Sequence, residues 1–263
     1  MISRRLRRIA TAAPIALAAA LAASRAAAAP SAHGISGRWL MDLERDGTVE
    51  LTLKRRDGHN NWNSSDDYRV SDFQGLTVPA GAGEVPAKFT LNRDAGAISF
   101  EGVMNDAGGS GRFTFEPSAE YLAALSKLGY ARPDEDDTFS LAVHDVSRAF
   151  LRDLDSLGYP RISLDDAVAM RIHGAGPEFI RELQAMGYKK LSADDLVAMR
   201  IHGATPEFIR ELQAMGYSSL SSDDLVAMRI HGVTPEFIAN LKSRGMKDLS
   251  IDKLVNLRIH GIE

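Results

Sequence analysis

The chain has 263 residues, contains no cysteine and carries a formal net charge of −4. The absence of cysteine excludes disulfides, cysteine nucleophiles and thiolate metal sites. The acidic balance argues against a nucleic-acid partner, because affinity for nucleic acid depends on clustered cations that meet phosphates.

The N-terminus predicts a secretory signal peptide over residues 1–29. Four arginines precede a short apolar run at residues 9–23, and an alanine-rich stretch follows. This order is typical of export with cleavage, here near Ala29, and the general secretion route is favoured over the twin-arginine route. A membrane span needs about 20 strongly apolar residues, so a retained anchor is the weaker alternative. We therefore expect a periplasmic or secreted protein, without a stable membrane span after cleavage, whose charge falls to −9.

Residues 30–116 are predicted to form a β domain, a small antiparallel sheet or partly closed barrel of about five to seven strands. Apolar and polar residues alternate there with the period of two that marks half-buried strands. The apolar positions are Trp39, Met41, Leu43, Val49, Leu51, Leu53, Phe89, Leu91, Ile98, Phe100, Phe113 and Phe115. Asp46 and Gly47 predict a tight hairpin turn, and a second hairpin is predicted across residues 93–96. The glycine-rich residues 108–111 predict a turn before the last strand.

Residues 57–67 are predicted to form a polar hairpin connection around Trp62. The segment is rich in oxygen ligands but lacks the regular acidic spacing of a calcium loop, so a calcium site is the weaker interpretation. Trp62 is expected to be a half-buried anchor of this loop, with a ligand-facing role as the alternative. An envelope hydrolase would need Asp66 and Asp67 to converge near His59.

From residue 161 onward the chain repeats every 29 residues. The clearest unit is residues 191–219; near copies occupy residues 162–190 and 220–248, and a half copy closes the chain. A period of this length is typical of helical-hairpin arrays. Two helices of about ten residues fill one period, and such helices are marginal in isolation. We therefore predict that neighbouring repeats stack into a solenoid.

Weaker copies of the period extend the predicted helical repeat domain to residues 117–263, so the predicted fold class is α+β. Tyrosines that follow a glycine recur at the repeat spacing, at Tyr130, Tyr159, Tyr188 and Tyr217. Asp145 occupies the position of the glycine stop in the first of these copies, which predicts a different corner there.

In the central unit, Ser192 and Asp195 are predicted to form a capping box at the start of a helix from Ala193 to His202. Gly203 supplies a left-handed stop. Thr205, followed by proline and glutamate, predicts the start of the second helix. The apolar face of the first helix is predicted to comprise Leu196, Val197, Met199 and Ile201.

Arginine and histidine recur in the motif Arg-Ile-His-Gly and are the candidate partner-binding residues. They are Arg171, His173, Arg200, His202, Arg229, His231, Arg258 and His260. Equivalent residues in stacked helices lie about 8–10 Å apart, whereas a zinc–nitrogen bond is about 2.0–2.1 Å, so no metal site is predicted. Capping of helix ends, where the dipole favours the charged imidazole, is preferred for the histidines, and a partner-binding ladder is the alternative.

Two interpretations of the arginine row stay open. The arginines could form inter-repeat ion pairs with three pairs of aspartates on a solvated surface. They could instead form a charged concave face that grips an extended partner. The aspartate pairs are Asp165 and Asp166, Asp194 and Asp195, and Asp223 and Asp224.

No motif for catalysis or cofactor binding occurs. A nucleophile elbow, a phosphate-cradling loop, a metalloprotease helix and a dinucleotide fingerprint are all absent from the sequence. We therefore predict a protein that is not an enzyme and that has no catalytic residues, cofactor or metal.

The repeats, LVAMRIHGATPEFIRELQAMGY and LVAMRIHGVTPEFIANLKSRGM, resemble tandem helical repeats of uncharacterised exported bacterial proteins. Similar units look to be appended to some membrane metallopeptidase sensors of the antibiotic-response type. The resemblance implies no activity. The paired-histidine helix with glutamate of those sensors is absent here, so the resemblance implies only an accessory or recognition role.

Taken together, these patterns predict an exported, non-catalytic interaction or scaffold module of the cell envelope, which binds a protein or peptide through the repeat surface. One alternative is binding of a small ligand, a lipid or a sugar, through the β domain. Another is an accessory or regulatory role beside an envelope peptidase.

Overall fold

The computed structural model describes residues 34–44, 46–57 and 60–261, so the predicted signal peptide lies outside the described residues. The fold is α+β, a curled antiparallel half-barrel of seven strands followed by ten helices within the described residues. The chain divides into two compact units between Arg148 and Ala149. In this described part of the chain, no helix combines the length and hydropathy that a membrane crossing requires.

Seven strands build one sheet, and every neighbouring pair is antiparallel. In chain order they are β1 (Ser36–Leu43), β2 (Thr48–Asp57), β3 (Asn60–Arg69), β4 (Phe73–Gln74), β5 (Val85–Arg93), β6 (Gly96–Met104) and β7 (Gly108–Pro117). Their order across the sheet is β3-β2-β1-β7-β6-β5-β4.

The connection between the two edge strands explains why the sheet curls. β3 and β4 lie at opposite edges, yet only the short 3-10 helix Val70–Asp72 separates them in the chain. A flat sheet would hold these edges about 29 Å apart, six strand spacings of about 4.8 Å. The linking residues can span only about 15 Å. The sheet must therefore curl towards closure, and the rings of Tyr68 and Phe73, one from each edge strand, lie 5.5 Å apart.

The predicted hairpins are confirmed in register, and the predicted apolar positions line one face. Met41 pairs with Leu51 and Phe89 pairs with Phe100. Trp39 is almost fully buried and packs edge-on against Phe89 at 5.2 Å. The alternation of apolar residues therefore sets which face of each strand is buried, because side chains on a strand point to opposite faces in turn.

Two local predictions in this region are wrong. Residues 60–67 belong to strand β3 and are not a loop, because β2 supplies their pairing along its whole length, from Thr48 with Arg69 to Asp57 with Asn60. Residues 108–111 belong to β7 and are not a turn. Gly109 and Gly111 are needed there because a Cβ at either position would overlap β6, at Met104 and the Val103 carbonyl or at the Glu101 carbonyl, and would also crowd the indole of Trp39.

Two helices of the first unit follow the sheet, α1 (Ala119–Lys127) and α2 (Glu135–Val143). The phenol of the buried Tyr121 donates a 2.6 Å hydrogen bond to the Val146 carbonyl. Phe139 of α2 stacks on Phe113 at 5.5 Å, nearly parallel. Helix and sheet therefore share one apolar core.

The remaining helices recur with the period of the sequence. They are α3 (Arg148–Ser156), α4 (Leu164–Ile172), α5 (Pro177–Ala185), α6 (Ala193–His202), α7 (Pro206–Ala214), α8 (Ser222–Ile230), α9 (Pro235–Ser243) and α10 (Ile251–Ile259). Helices one repeat apart contact each other. In one series α4 contacts α6, α6 contacts α8 and α8 contacts α10; in the other α5 contacts α7 and α7 contacts α9.

The predicted helix ends are confirmed in the central repeat. Ser192 and Asp195 form the capping box, and Gly203 adopts a left-handed φ of 71°. The Thr205 hydroxyl accepts from the Phe208 amide at the start of α7. These signals are local, so they act before any tertiary contact forms.

The corner at Asp145 is not different from the others, contrary to the prediction. Asp145 has a φ of 52°, and Gly174, its equivalent one repeat later, has a φ of 68°. The Val146 amide donates a hydrogen bond to the Leu141 carbonyl. One repeat later, the Ala175 amide donates the equivalent hydrogen bond to the Met170 carbonyl. Aspartate is one of the few residues with a side chain that visit the left-handed region, so the corner survives the loss of glycine.

Candidate interaction surface on the helical repeats

The arginine row joins consecutive repeats through backbone carbonyls. The Nε atoms of Arg200 and Arg229 donate, each over 3.3 Å, to the carbonyls of His173 and His202 in the preceding repeat. Arg258 donates over 3.0 Å to the Gly232 carbonyl. These acceptors lie where a helix leaves its last carbonyls without intrahelical partners. The guanidinium groups therefore cap the helices of the neighbouring repeat.

Each of these arginines also lies over a phenylalanine of the preceding repeat. Arg200 lies 5.2 Å from the ring centroid of Phe179, and Arg229 lies 5.0 Å from that of Phe208. The same contact recurs at 4.9 Å between Arg171 and Phe150 and at 4.8 Å between Arg258 and Phe237. A guanidinium can stack on a ring while its edge donates hydrogen bonds. We call these four arginine–phenylalanine pairs the Arg–Phe ladder.

The aspartates that were candidate partners of the arginines serve the helix starts. Asp195 accepts from the backbone and hydroxyl of Ser192, and its other oxygen accepts from Ser222 of the next repeat at 3.1 Å. Asp224 repeats the capping contact with Ser221. These contacts therefore favour the interpretation that the arginines join the repeats. At Arg200, Arg229 and Arg258 the described contacts are with a backbone carbonyl and an aromatic ring of the preceding repeat.

Other side chains join repeats in the same manner. The phenols of Tyr159 and Tyr217 donate to the carbonyls of Leu191 and Leu249, over 2.8 and 3.0 Å. Burial raises the pKa of both phenols, so they remain protonated donors at neutral pH. The tyrosine recurrence read from the sequence thus marks a contact between repeats.

The four candidate histidines lie at the C-terminal ends of α4, α6, α8 and α10, half-buried except for the exposed His260. Partial burial lowers the pKa of His173, which favours the neutral ring there, against the expected preference for the cation. No group of three or more potential ligands that could hold a metal ion occurs among the described residues.

An exposed isoleucine precedes each histidine, and sequence reasoning missed its exposure. Ile172, Ile201, Ile230 and Ile259 are 50%, 36%, 46% and 55% exposed. The prediction that Ile201 belongs to the buried face of α6 is wrong. Leu196 and Met199 are buried, and two residues beyond Met199 the helix has turned by about 200°. A helical projection of the α6 sequence would have shown that Ile201 lies on the face opposite Met199. We call these four residues the isoleucine row.

Asp66 and Asp67 do not converge as a hydrolase would require. They are consecutive residues of β3, so their side chains point to opposite faces of the sheet. Asp66 accepts a hydrogen bond from the Ser64 hydroxyl at 2.6 Å. His59 lies outside the described residues. Trp62 is half-buried, as expected, but it lies on a strand and packs on Phe139 at 5.1 Å.

Arg229→Lys tests the Arg–Phe ladder. Lysine keeps the charge but loses the planar group that stacks and donates at once, so the free energy of unfolding should fall by about 1 kcal/mol. Arg210→Lys is the matched control, because Arg210 forms exposed ion pairs with Glu182 and Glu207 and should lose less than about 0.5 kcal/mol. Urea unfolding followed by far-UV circular dichroism measures both. Equal losses would contradict a special role of the ladder.

Comparison with protein-family models, curated proteins and solved structures finds no match for this chain. The resemblance of the repeats to those of exported bacterial proteins therefore stays a prediction.

Proposed function

We propose that the protein is a non-catalytic interaction or scaffold module that binds a protein or peptide of the cell envelope along its helical repeats. The repeats form a solenoid in this proposal. Contacts between helices one repeat apart and the Arg–Phe ladder support it. An array of this kind offers the same surface at regular intervals, which suits a partner that binds along its length.

The isoleucine row is the observation that carries the proposal. Single exposed apolar residues are ordinary, but a contiguous exposed patch commonly marks an interaction site. Here one isoleucine recurs at the same place in each of four contacting helices, which are spaced about 8–10 Å apart. A histidine follows each isoleucine in the chain, half-buried in three of the four repeats, and adds a polar group. The partner therefore presents apolar side chains at a similar spacing.

The arginines keep a positioning role in this proposal, because their described contacts lie within the array. Arg171, Arg200, Arg229 and Arg258 hold the repeats in register, while His173, His202, His231 and His260 remain candidate contacts beside the isoleucine row. Export is part of the proposal and rests on the signal-peptide pattern of residues 1–29.

Position-specific photo-crosslinking in the cell that makes the protein tests this function. A photoreactive residue at position 201 or 230 is expected to capture a discrete partner, and the same residue at Leu40, an exposed apolar position of the first unit, is not. Adding Ile172→Ser and Ile259→Ser should reduce the crosslink at position 201 at least about tenfold, because each buried isoleucine contributes about 1.5–3 kcal/mol.

Unchanged circular dichroism must accompany that loss, since the exposed isoleucines contribute little to folding. Crosslinks of equal intensity at positions 40, 201 and 230, or a crosslink that survives the serine substitutions, would refute binding through the isoleucine row.

A further inference from the structure

Three cations from three different strands lie side by side on the outer face of the sheet. Arg38 of β1 is directly opposite Lys54 of β2 on one side and Arg112 of β7 on the other. All three are exposed. Directly opposed residues of neighbouring strands lie about 4.5–5.5 Å apart, and like charges in such pairs are destabilising. We call these three residues the cationic row.

No carboxylate forms an ion pair with the cationic row within the residues that the structure describes. The nearest cross-strand candidate is Glu101, opposite Arg112, but it binds Lys88 at 2.7 Å instead. The positive charge of the row is thus left for solvent or for a ligand to compensate.

The acidic residues of the same face are gathered four residues further along these strands. Asp42 of β1 lies opposite Glu50 of β2, which in turn lies opposite Asp67 of β3. Exchanging residues between the two rows would have produced favourable cross-strand pairs. The sheet therefore separates charge by sign at a cost in stability, which a folding requirement alone does not explain.

A cavity of about 570 Å³ lies over the cationic row. Ser36 and Asn63 add neutral hydrogen-bonding groups to its lining, and Trp62 adds an aromatic surface. The volume falls within the range of about 300–1,000 Å³ that is usual for small-molecule sites, but the cavity is open to solvent, so a bound ligand would stay partly exposed. A lone inorganic anion would fill only part of it, so the lining suits an anion joined to a larger organic group.

From this geometry we infer that the half-barrel binds a small phosphate ester. The phosphate group lies on Arg38, Lys54 and Arg112, because a phosphate dianion offers three oxygens to donors arranged along a row. The organic group lies beside Ser36 and Asn63, which share the lining of the cavity with the three cations. This site is in the first unit and does not depend on the function proposed for the repeats.

Thermal unfolding of the full chain, together with titration calorimetry, tests the inference with four probes at matched ionic strength. Glucose 6-phosphate is expected to bind and to raise the melting temperature, inorganic phosphate to do so more weakly, and glucose and potassium chloride to do neither. Tryptophan fluorescence should follow the transition, since both tryptophans of the chain, Trp39 and Trp62, belong to the first unit.

The double variant Arg38→Gln and Arg112→Gln should weaken glucose 6-phosphate binding at least about tenfold, because it removes two charge-assisted contacts. Its melting temperature without ligand should stay the same or rise, since like-charge repulsion is relieved. Lys127→Gln, an exposed cation of the same unit outside the cavity, is the matched control and should bind as the unsubstituted chain does.

Equal weakening by Lys127→Gln would show non-specific charge attraction and overturn the site. So would the absence of any shift with glucose 6-phosphate at millimolar concentration. Binding to phosphatidylglycerol vesicles without binding to glucose 6-phosphate would overturn the small-molecule ligand in favour of a lipid headgroup.

Discussion

Replacing Phe208 with alanine is expected to lower the free energy of unfolding by about 3–5 kcal/mol. Phe208 is only 5% exposed in the central repeat, and its ring also carries Arg229. The substitution therefore removes core packing within one repeat and a contact with the next. Helices of about ten residues do not persist alone, so the loss should spread through the array as one cooperative transition.

Far-UV circular dichroism during urea unfolding measures this effect, since the repeats supply most of the helix. Ile201→Ala, which truncates an exposed apolar residue of the same repeat, is the control and should stay within about 0.5 kcal/mol. Phe208→Leu keeps most of the buried apolar volume but removes the ring that Arg229 contacts. Its free energy of unfolding should therefore fall by less than that of Phe208→Ala. If Phe208→Ala only adds a small early step to the urea unfolding curve while the other repeats unfold at the same urea concentration as before, the repeats are independent. That result would contradict the proposed solenoid.

Gly111→Ala is expected to destabilise the half-barrel by about 3 kcal/mol or more. A Cβ at Gly111 would overlap the carbonyl oxygen of Glu101 and lie 2.7 Å from Nε1 of Trp39. That nitrogen donates a 3.2 Å hydrogen bond to the same carbonyl. The methyl group therefore has no space to occupy unless β6 and β7 separate or the indole leaves the core.

Tryptophan fluorescence reports this change directly, because displacement of the buried Trp39 exposes its indole to water. Gly83→Ala is the matched control. Its Cβ would meet no atom within 4 Å, so its free energy of unfolding should change by less than about 0.5 kcal/mol. A Gly111→Ala variant with native fluorescence and stability would mean that the glycines of β7 are not needed for the packing of Trp39.

The boundaries of the repeat helices could be predicted because their signals lie within a few residues of the structure they specify. Ser192, Asp195 and Gly203 act on the backbone of their own helix, and α6 begins and ends where they predict. The Asp145 corner was missed because glycine was treated as the only residue for a left-handed stop, although aspartate also adopts that conformation.

Strand β3 could not be found by alternation, because its exposed edge position leaves both faces largely polar. Its structure follows from pairing with β2, a contact between segments and not a property of residues 60–69. The same reason hid the function of Gly111, whose neighbours Trp39 and Glu101 are distant in the chain.

The period, the helix caps and the buried face of most strands could be predicted from the amino-acid sequence, because they depend on interactions between near neighbours in the chain. The contacts by which the arginines join one repeat to the next became visible only in the tertiary structure, because their partners lie 26 or 27 residues away in the chain. Only strand register could bring Arg38, Lys54 and Arg112 together from three segments. Strand register depends on pairing across the whole sheet. The net charge of the chain therefore does not reveal that three cations from distant segments lie side by side.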